Sequence, residues 1–185
     1  LDLSASMGKV PLALLKSVGF LEVLTNSVST SCNFGHNVFE KKTVSENILL
    51  VLSETELMGM IFLLVSLLLS DGSYTKSSNK ALPQTVLSLT MTSIKYFNNI
   101  ARFDLKLLQK TMGSKIIREQ VFHVFSYLLT YCNENYDSSE DVKDLLNELL
   151  LLIGYFCVLN RENQELLAQG TPTLVQKITG LPINY

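Results

Sequence analysis

The sequence predicts an all-α fold, and three observations carry that prediction. Apolar residues recur at helical spacing along most of the chain, with no alternation of strand and helix segments. Only four prolines and nine glycines occur in 185 residues, which favours long helices over many short strands. The stretch from Leu145 to Pro182 reads as a long apolar helix, a sharp turn, a short helix closed by Gly170, and another short helix. The length suits one domain, residues 1–185, with a sizeable core. Hydrophobic residues make up 47% and charged ones 17%, a balance that excludes disorder over most of the length. A net charge of −2 gives no global pull toward nucleic acid. The chain does not begin with Met and stops at Tyr185 soon after a helix without a covering partner, so we expect a piece of a larger protein.

Taken in order, the first helix runs over Val10–Val28, with Leu12, Leu15, Val18, Leu21 and Leu24 at helical spacing and a break expected at Gly19. Ser29–Lys42 has no period and contains Gly35, so it reads as a loop. Thr43-Val-Ser-Glu46 and Ser53-Glu-Thr-Glu56 both fit a capping box, where hydroxyl and carboxylate satisfy reciprocal backbone N–H groups. The second box opens the most apolar run, Leu57–Leu69. At about 1.5 Å per residue it is too short for about 30 Å of hydrocarbon, so a buried core helix is expected. Asp71–Lys80 is a polar loop, and Pro83 suits the first position of the next helix. That helix carries Leu87, Met91, Ile94, Phe97 and Ala101 on one face and ends near Arg102.

Asp104 caps a short helix, Leu105–Met112, which Gly113 ends. Ser114 is expected to cap a long helix with a stripe of Ile117, Val121, Val124, Leu128 and Cys132, widened by Phe125 and Leu129. Ser138-Ser-Glu-Asp141 starts a helix whose Leu145–Leu159 part is apolar nearly all round and must be covered on most sides. Leu128, Leu150 and Phe156 are expected to be buried there. Thr171 is expected to cap the last short helix, Pro172 to open it, and Gly180 and Pro182 to stop it.

Three places share a local pattern in which a leucine pair precedes a glycine and an apolar helix follows: Leu14-Leu15 before Gly19, Leu107-Leu108 before Gly113, and Leu166-Leu167 before Gly170. The last two glycines stand at 113 and 170, one stretched period of an armadillo or HEAT repeat. The expected architecture is therefore an irregular armadillo/HEAT-like right-handed α-solenoid, whose repeats bury their apolar faces on one another and offer a long surface to a partner.

Catalytic and metal chemistry find little support. Cys32 and His36 stand four apart, but a structural zinc site needs four ligands and no second pair exists. His123 sits beside the apolar stripe without a nucleophile and acid to form a triad. Cys132 and Cys157 lie in apolar helices as core residues, and three cysteines without a close pair read as reduced cytosolic thiols. No phosphate-cradling glycine loop occurs. The first residues lack the basic and apolar segments of a signal peptide. We expect no enzyme activity, no cofactor and no metal.

Charge patterning says more. Six bases, Lys95, Arg102, Lys106, Lys110, Lys115 and Arg118, face Asp104 alone between 95 and 118. Six acids, Glu134, Asp137, Glu140, Asp141, Asp144 and Glu148, face Lys143 alone between 134 and 148. These runs read either as two ordinary solvated faces or as a partner-binding patch for RNA phosphate or an acidic protein. Asn98 and Asn99 end a helix in the third position of a repeat, where armadillo asparagines can hold an extended peptide. Lys95, Asn98, Asn99, Arg102, Lys106, Lys110, Lys115 and Arg118 are thus the candidate partner-binding residues.

Two stretches, FNNIARFDLKLLQKTMGS (97–114) and LLIGYFCVLNRENQELLAQGTPTLVQKITGLPINY (151–185), resemble the C-terminal helical region of the family of S phase cyclin A-associated proteins in the endoplasmic reticulum, and ETELMGMIFLLVSLLLS (54–70) is similar to the same region. The resemblance implies a non-catalytic binding module of a large adaptor protein. It would link a tetratricopeptide-repeat factor at tubulin-translating ribosomes to a deadenylase complex in tubulin mRNA decay. It also implies a cytoplasmic location at the cytosolic face of the endoplasmic reticulum, and cyclin A among the partners. Cyclin docking often uses Arg-x-Leu, which Arg102, Arg118 and Arg161 do not form. A cyclin A-binding cell-cycle regulator and an RNA or ribosome contact module are the alternatives; attachment to a membrane surface is a third.

Overall fold

The computed structural model describes residues 12–32, 47, 50–52, 56–70, 81–170 and 172–181. Among these residues there are helices and no strand. The helices are α1 (Leu12–Cys32), α2 (Leu57–Ser70), α3 (Gln84–Phe103), α4 (Leu105–Met112), α5 (Arg118–Glu134), α6 (Glu140–Cys157), α7 (Arg161–Leu167) and α8 (Leu174–Thr179), with residues 50–52 helical as well.

Short polar side chains set several helix starts. Asp104 ends α3 and starts α4: its N–H donates to Ile100 O at 2.9 Å, and its Oδ1 accepts from Leu107 N–H at 3.0 Å. Gly113 closes α4 as expected. Ser139 caps α6 by accepting from Val142 N–H at 3.4 Å, and Asn160 caps α7 by accepting from Asn163 N–H at 3.1 Å.

Other ends depart from the sequence reading. Gly19 does not break α1, which continues to Cys32 through residues expected to be loop. No side chain comes within 4 Å of a Cβ placed at Gly19, so nothing local demands a turn there. Pro83 is the residue before α3 rather than its first. Ser114 belongs to a turn; α5 starts at Arg118, after Ile117, without a side-chain cap. Pro172 does not open α8. Its cap is Thr173, in a full capping box with Gln176 (2.9 and 3.1 Å). Gly180 closes that helix. Thr171, Pro182, the two boxes read at 43–46 and 53–56 except Glu56, and the loop at 71–80 lie outside the described residues.

The helices pack in two rows. α3 lies between α1 and α6, and α5 lies between α2 and α8. Contacts of α2 with α3 and of α5 with α6 join the rows, and α4 and α7 pack on α6. The starts of α3 and α6 (84 and 140), of α4 and α7 (105 and 161) and of α5 and α8 (118 and 174) are each 56 residues apart.

The core between the rows contains Leu89, Tyr96 and Ile100 of α3, Val121, Phe125, Leu128 and Leu129 of α5, and Leu145, Leu149 and Phe156 of α6, all essentially without exposure. Phe125 meets Phe156 edge-on at 5.8 Å between ring centres. The expected stripe of α5 is buried throughout. Leu128 and Phe156 are buried as expected, whereas Leu150 is half-buried, because it lies between the core face of α6 and its exposed edge at Leu151. The run in α2 is also only partly covered: Met58, Ile61, Phe62, Val65 and Leu69 are buried, but Met60 and Leu67 are exposed. Gly170 adopts φ +83° beside the Phe122 ring, where a Cβ would approach the ring to 2.8 Å.

Candidate functional site

The row α1, α3, α6 carries a polar cleft. On α3, Lys95, Asn98, Asn99 and Arg102 stand at i, i+3, i+4 and i+7 and therefore share one face. The rest of α3 is committed to the core through Leu89, Ile94, Phe97 and Ile100. α1 supplies Glu22 and Asn26 from one side and α6 supplies Glu148 from the other. These seven residues line a cleft of about 210 Å³.

The two asparagines tie the row together. Asn98 reaches α6, where its Nδ2 donates to Glu148 O at 3.0 Å and Glu148 Oε2 at 2.7 Å. Asn99 reaches α1, where its Nδ2 donates to Glu22 O and Thr25 Oγ1, both at 3.3 Å. Both are buried, at 1% and 4% exposure. Their N–H groups are thus already engaged within the fold. Asn98 Oδ1 is different: it is buried and has no hydrogen-bond partner among the described residues. An unpaired buried carbonyl costs about 1–3 kcal/mol unless something outside the fold donates to it.

The candidate residues divide in two. Lys95, Asn98, Asn99 and Arg102 come together in the cleft. Lys106, Lys110 and Lys115 stand exposed on α4 and the turn after it, outside the cleft lining. Arg118 is half-buried and donates from Nη2 to Glu162 O at 3.0 Å. Among the described residues, no ion pair joins a base of 95–118 to an acid of 134–148; Lys143–Glu140 and Arg161–Glu165 are pairs within single helices. Sequence reasoning missed Glu22, Asn26 and Thr25, and counted Glu148 with the acidic run rather than with Asn98. Their signal was weak, since Asn98 and Asn99 lie 50 and 77 residues from the backbone oxygens they bind.

The other candidates stay apart from the cleft. Burial pushes the Cys132 thiol up to about 12 and the Cys157 thiol up to about 11, so neither is a thiolate at neutral pH. His123 is exposed and lies edge-on to Phe122. Among the described residues no three or more His, Cys, Asp or Glu side chains gather closely enough to hold a metal ion. His36 and the side chain of Cys32 lie outside them. No described helix is long and apolar enough to cross a membrane.

Over the described residues, fold and cleft define a helical protein of two packed rows with a charged, amide-lined surface cleft. No family model matches the chain, and no solved structure matches it. Over 72% of its length it is 30% identical to the human (Homo sapiens) S phase cyclin A-associated protein in the endoplasmic reticulum. The chain is a distant homologue of a region of that protein. It spans about a tenth of the length of this curated relative, the match covering 10% of it.

Proposed function

We propose that this chain is a non-catalytic helical scaffold, an irregular right-handed armadillo-like solenoid serving as the binding module of an adaptor protein. One observation carries the scaffold reading. Helix starts recur at 56-residue intervals, and α3 packs on α6 and α5 on α8, so corresponding helices of successive units are neighbours. This is the contact order expected of stacked three-helix repeats. In this reading α4, α5 and α6 form one unit, α7 and α8 begin the next, and α1 is the last helix of a preceding one.

The distant homology supports the adaptor role. In it, the module links a tetratricopeptide-repeat factor at tubulin-translating ribosomes to a deadenylase complex, at the cytosolic face of the endoplasmic reticulum. The relative's name supplies cyclin A as the alternative partner.

The exposure of Lys106, Lys110 and Lys115 favours a second reading, in which this edge touches ribosomal RNA. Phosphate contacts release counterions, so that affinity would fall steeply with salt. The test is Lys106→Glu with Lys110→Glu. Melting temperature is measured alongside binding to purified ribosomes and to the purified tetratricopeptide-repeat factor and deadenylase complex. An unchanged melt with lost binding is expected, and the salt dependence tells RNA from protein. Unchanged binding to all three would remove these lysines from the interface.

A further inference from the structure

We infer that the cleft between α1, α3 and α6 holds an extended segment of a partner polypeptide in which a basic, an acidic and a second basic side chain follow at three-residue intervals. The inference rests on the scaffold reading and names the chemistry of its partner. Three observations lead to it.

The first is the order of charge across the row. Glu22 on α1, Lys95 and Arg102 on α3, and Glu148 on α6 give acid, base, acid from helix to helix. A ligand crossing the row meets alternating signs and needs the complementary sequence of base, acid, base. With two bases and two acids, the cleft has no excess of positive charge to attract RNA phosphate, and its carboxylates stand on opposite sides rather than as one cluster.

The second is spacing. Packed helices lie about 8–10 Å apart. An extended chain of polyproline type rises about 3.1 Å per residue with three residues per turn. One turn therefore covers about 9 Å, and side chains at i, i+3 and i+6 fall on the same side, each over one helix.

The third is Asn98. Its Nδ2 is engaged with Glu148, while its buried Oδ1 lacks a partner and belongs to a residue of the cleft lining. The oxygen is closed off in the free chain, and a small turn of the Asn98 side chain on binding would let it accept from a backbone N–H of an extended chain.

The experiment uses the full chain and two labelled peptides, Lys-x-x-Glu-x-x-Lys and its charge-reversed counterpart Glu-x-x-Lys-x-x-Glu, followed by fluorescence anisotropy. The first should bind about tenfold more tightly. Arg102→Glu combined with Glu148→Lys leaves an acid on α1, a neutral pair on α3 and a base on α6, and should erase that preference. A circular dichroism spectrum and melt like those of the parent chain would show that the fold is kept. Arg102→Glu alone, at an exposed position, covers the case in which the double variant does not fold, and should weaken the preference without removing it, because Glu22 and Glu148 remain. Equal affinity for the two peptides, or binding of neither up to about 1 mM, would overturn the proposal. The scaffold reading fails separately, through loss of all partner binding by the parent chain in the assay with Lys106 and Lys110, which lie outside the cleft lining.

Discussion

Two clusters of amide side chains bridge the helices of this fold, and they differ in how completely they are satisfied. At the corner where α6 ends, amide side chains from α4 and α7 meet the last carbonyls of the helix. Gln109 Nε2 donates to Tyr155 O and Val158 O at 2.9 and 2.8 Å, Asn163 Nδ2 to Phe156 O at 2.8 Å, and Gln164 Nε2 to Cys157 O at 2.9 Å. Asn160 Nδ2 donates to Gln109 Oε1 at 3.3 Å. The final carbonyls of a helix lack partners within it, and here four consecutive ones are met by side chains. In the cleft, Asn98 and Asn99 also bridge helices, yet Asn98 Oδ1 is left without a partner. The corner is glue, complete in itself. The cleft spans its helices but leaves one buried acceptor unpaired, as α3 also does at Thr90, Ser93 and Tyr96.

The largest effect should come from breaking the corner. Gln109→Leu leaves two carbonyls and the Asn160 amide without partners. At about 1–3 kcal/mol per buried group left unpaired, a loss of about 2–4 kcal/mol is expected. Urea unfolding at unchanged m-value measures it. A loss under about 1 kcal/mol would mean that water replaces the amide and that the corner is not the closed element.

The corner also shows what was legible in the sequence. Local signals could be read directly: Asp104 as a cap, Gly113 and Gly180 as stops, and the apolar stripe of α5 all stand where periodicity and cap chemistry put them. Gly19 misled because an isolated glycine costs a helix only about 1 kcal/mol, less than the packing of α1 along α3 restores. Ser114 misled because three residues of turn separate it from α5, and the Thr173–Gln176 box was passed over in favour of the Thr-Pro pair before it. For the cleft, the shared face of Lys95, Asn98, Asn99 and Arg102 could be read from their spacing. Its walls could not, because Glu22 and Glu148 arrive from helices distant in sequence. The same non-locality hid the corner, where Gln109 binds carbonyls 46 and 49 residues away.

Asn98→Ala should cost less, about 1–2 kcal/mol. It removes a bond to the Glu148 carboxylate but also the unpaired oxygen. A loss matching that of Gln109→Leu would erase the distinction between glue and binding surface. Smaller again is the effect at Leu159, which follows α6 at φ 54° with 96% of its surface exposed. A left-handed conformation costs a non-glycine residue about 1–2 kcal/mol, so Leu159→Gly should stabilise the corner by about 1 kcal/mol, read as a raised melting temperature. No gain would mean that the leucine makes compensating contacts.

The finest distinction is between two tyrosines, one on each side of the same question of satisfaction. Tyr131 Oη accepts from Leu82 N–H at 3.4 Å, whereas Tyr96 Oη is buried without a partner among the described residues. Tyr131→Phe removes a long, weak bond and should cost about 0.5–1 kcal/mol; Tyr96→Phe removes an unpaired hydroxyl and should be neutral or stabilising by about the same amount. Titration separates them further. Burial pushes both phenols above the usual range, and at Tyr131 the bond from Leu82 works against that rise. The unfolded chain loses these protons near pH 10 while the folded chain keeps them. Their contribution to stability is therefore complete below about pH 10 and is lost as pH rises above it. Tyr96→Phe should flatten the fall of melting temperature between about pH 9 and 11 more than Tyr131→Phe does. Equal slopes for the two variants would mean that the Tyr96 hydroxyl is as well satisfied as that of Tyr131, and that α3 carries an unmet polar group at Asn98 without one at Tyr96.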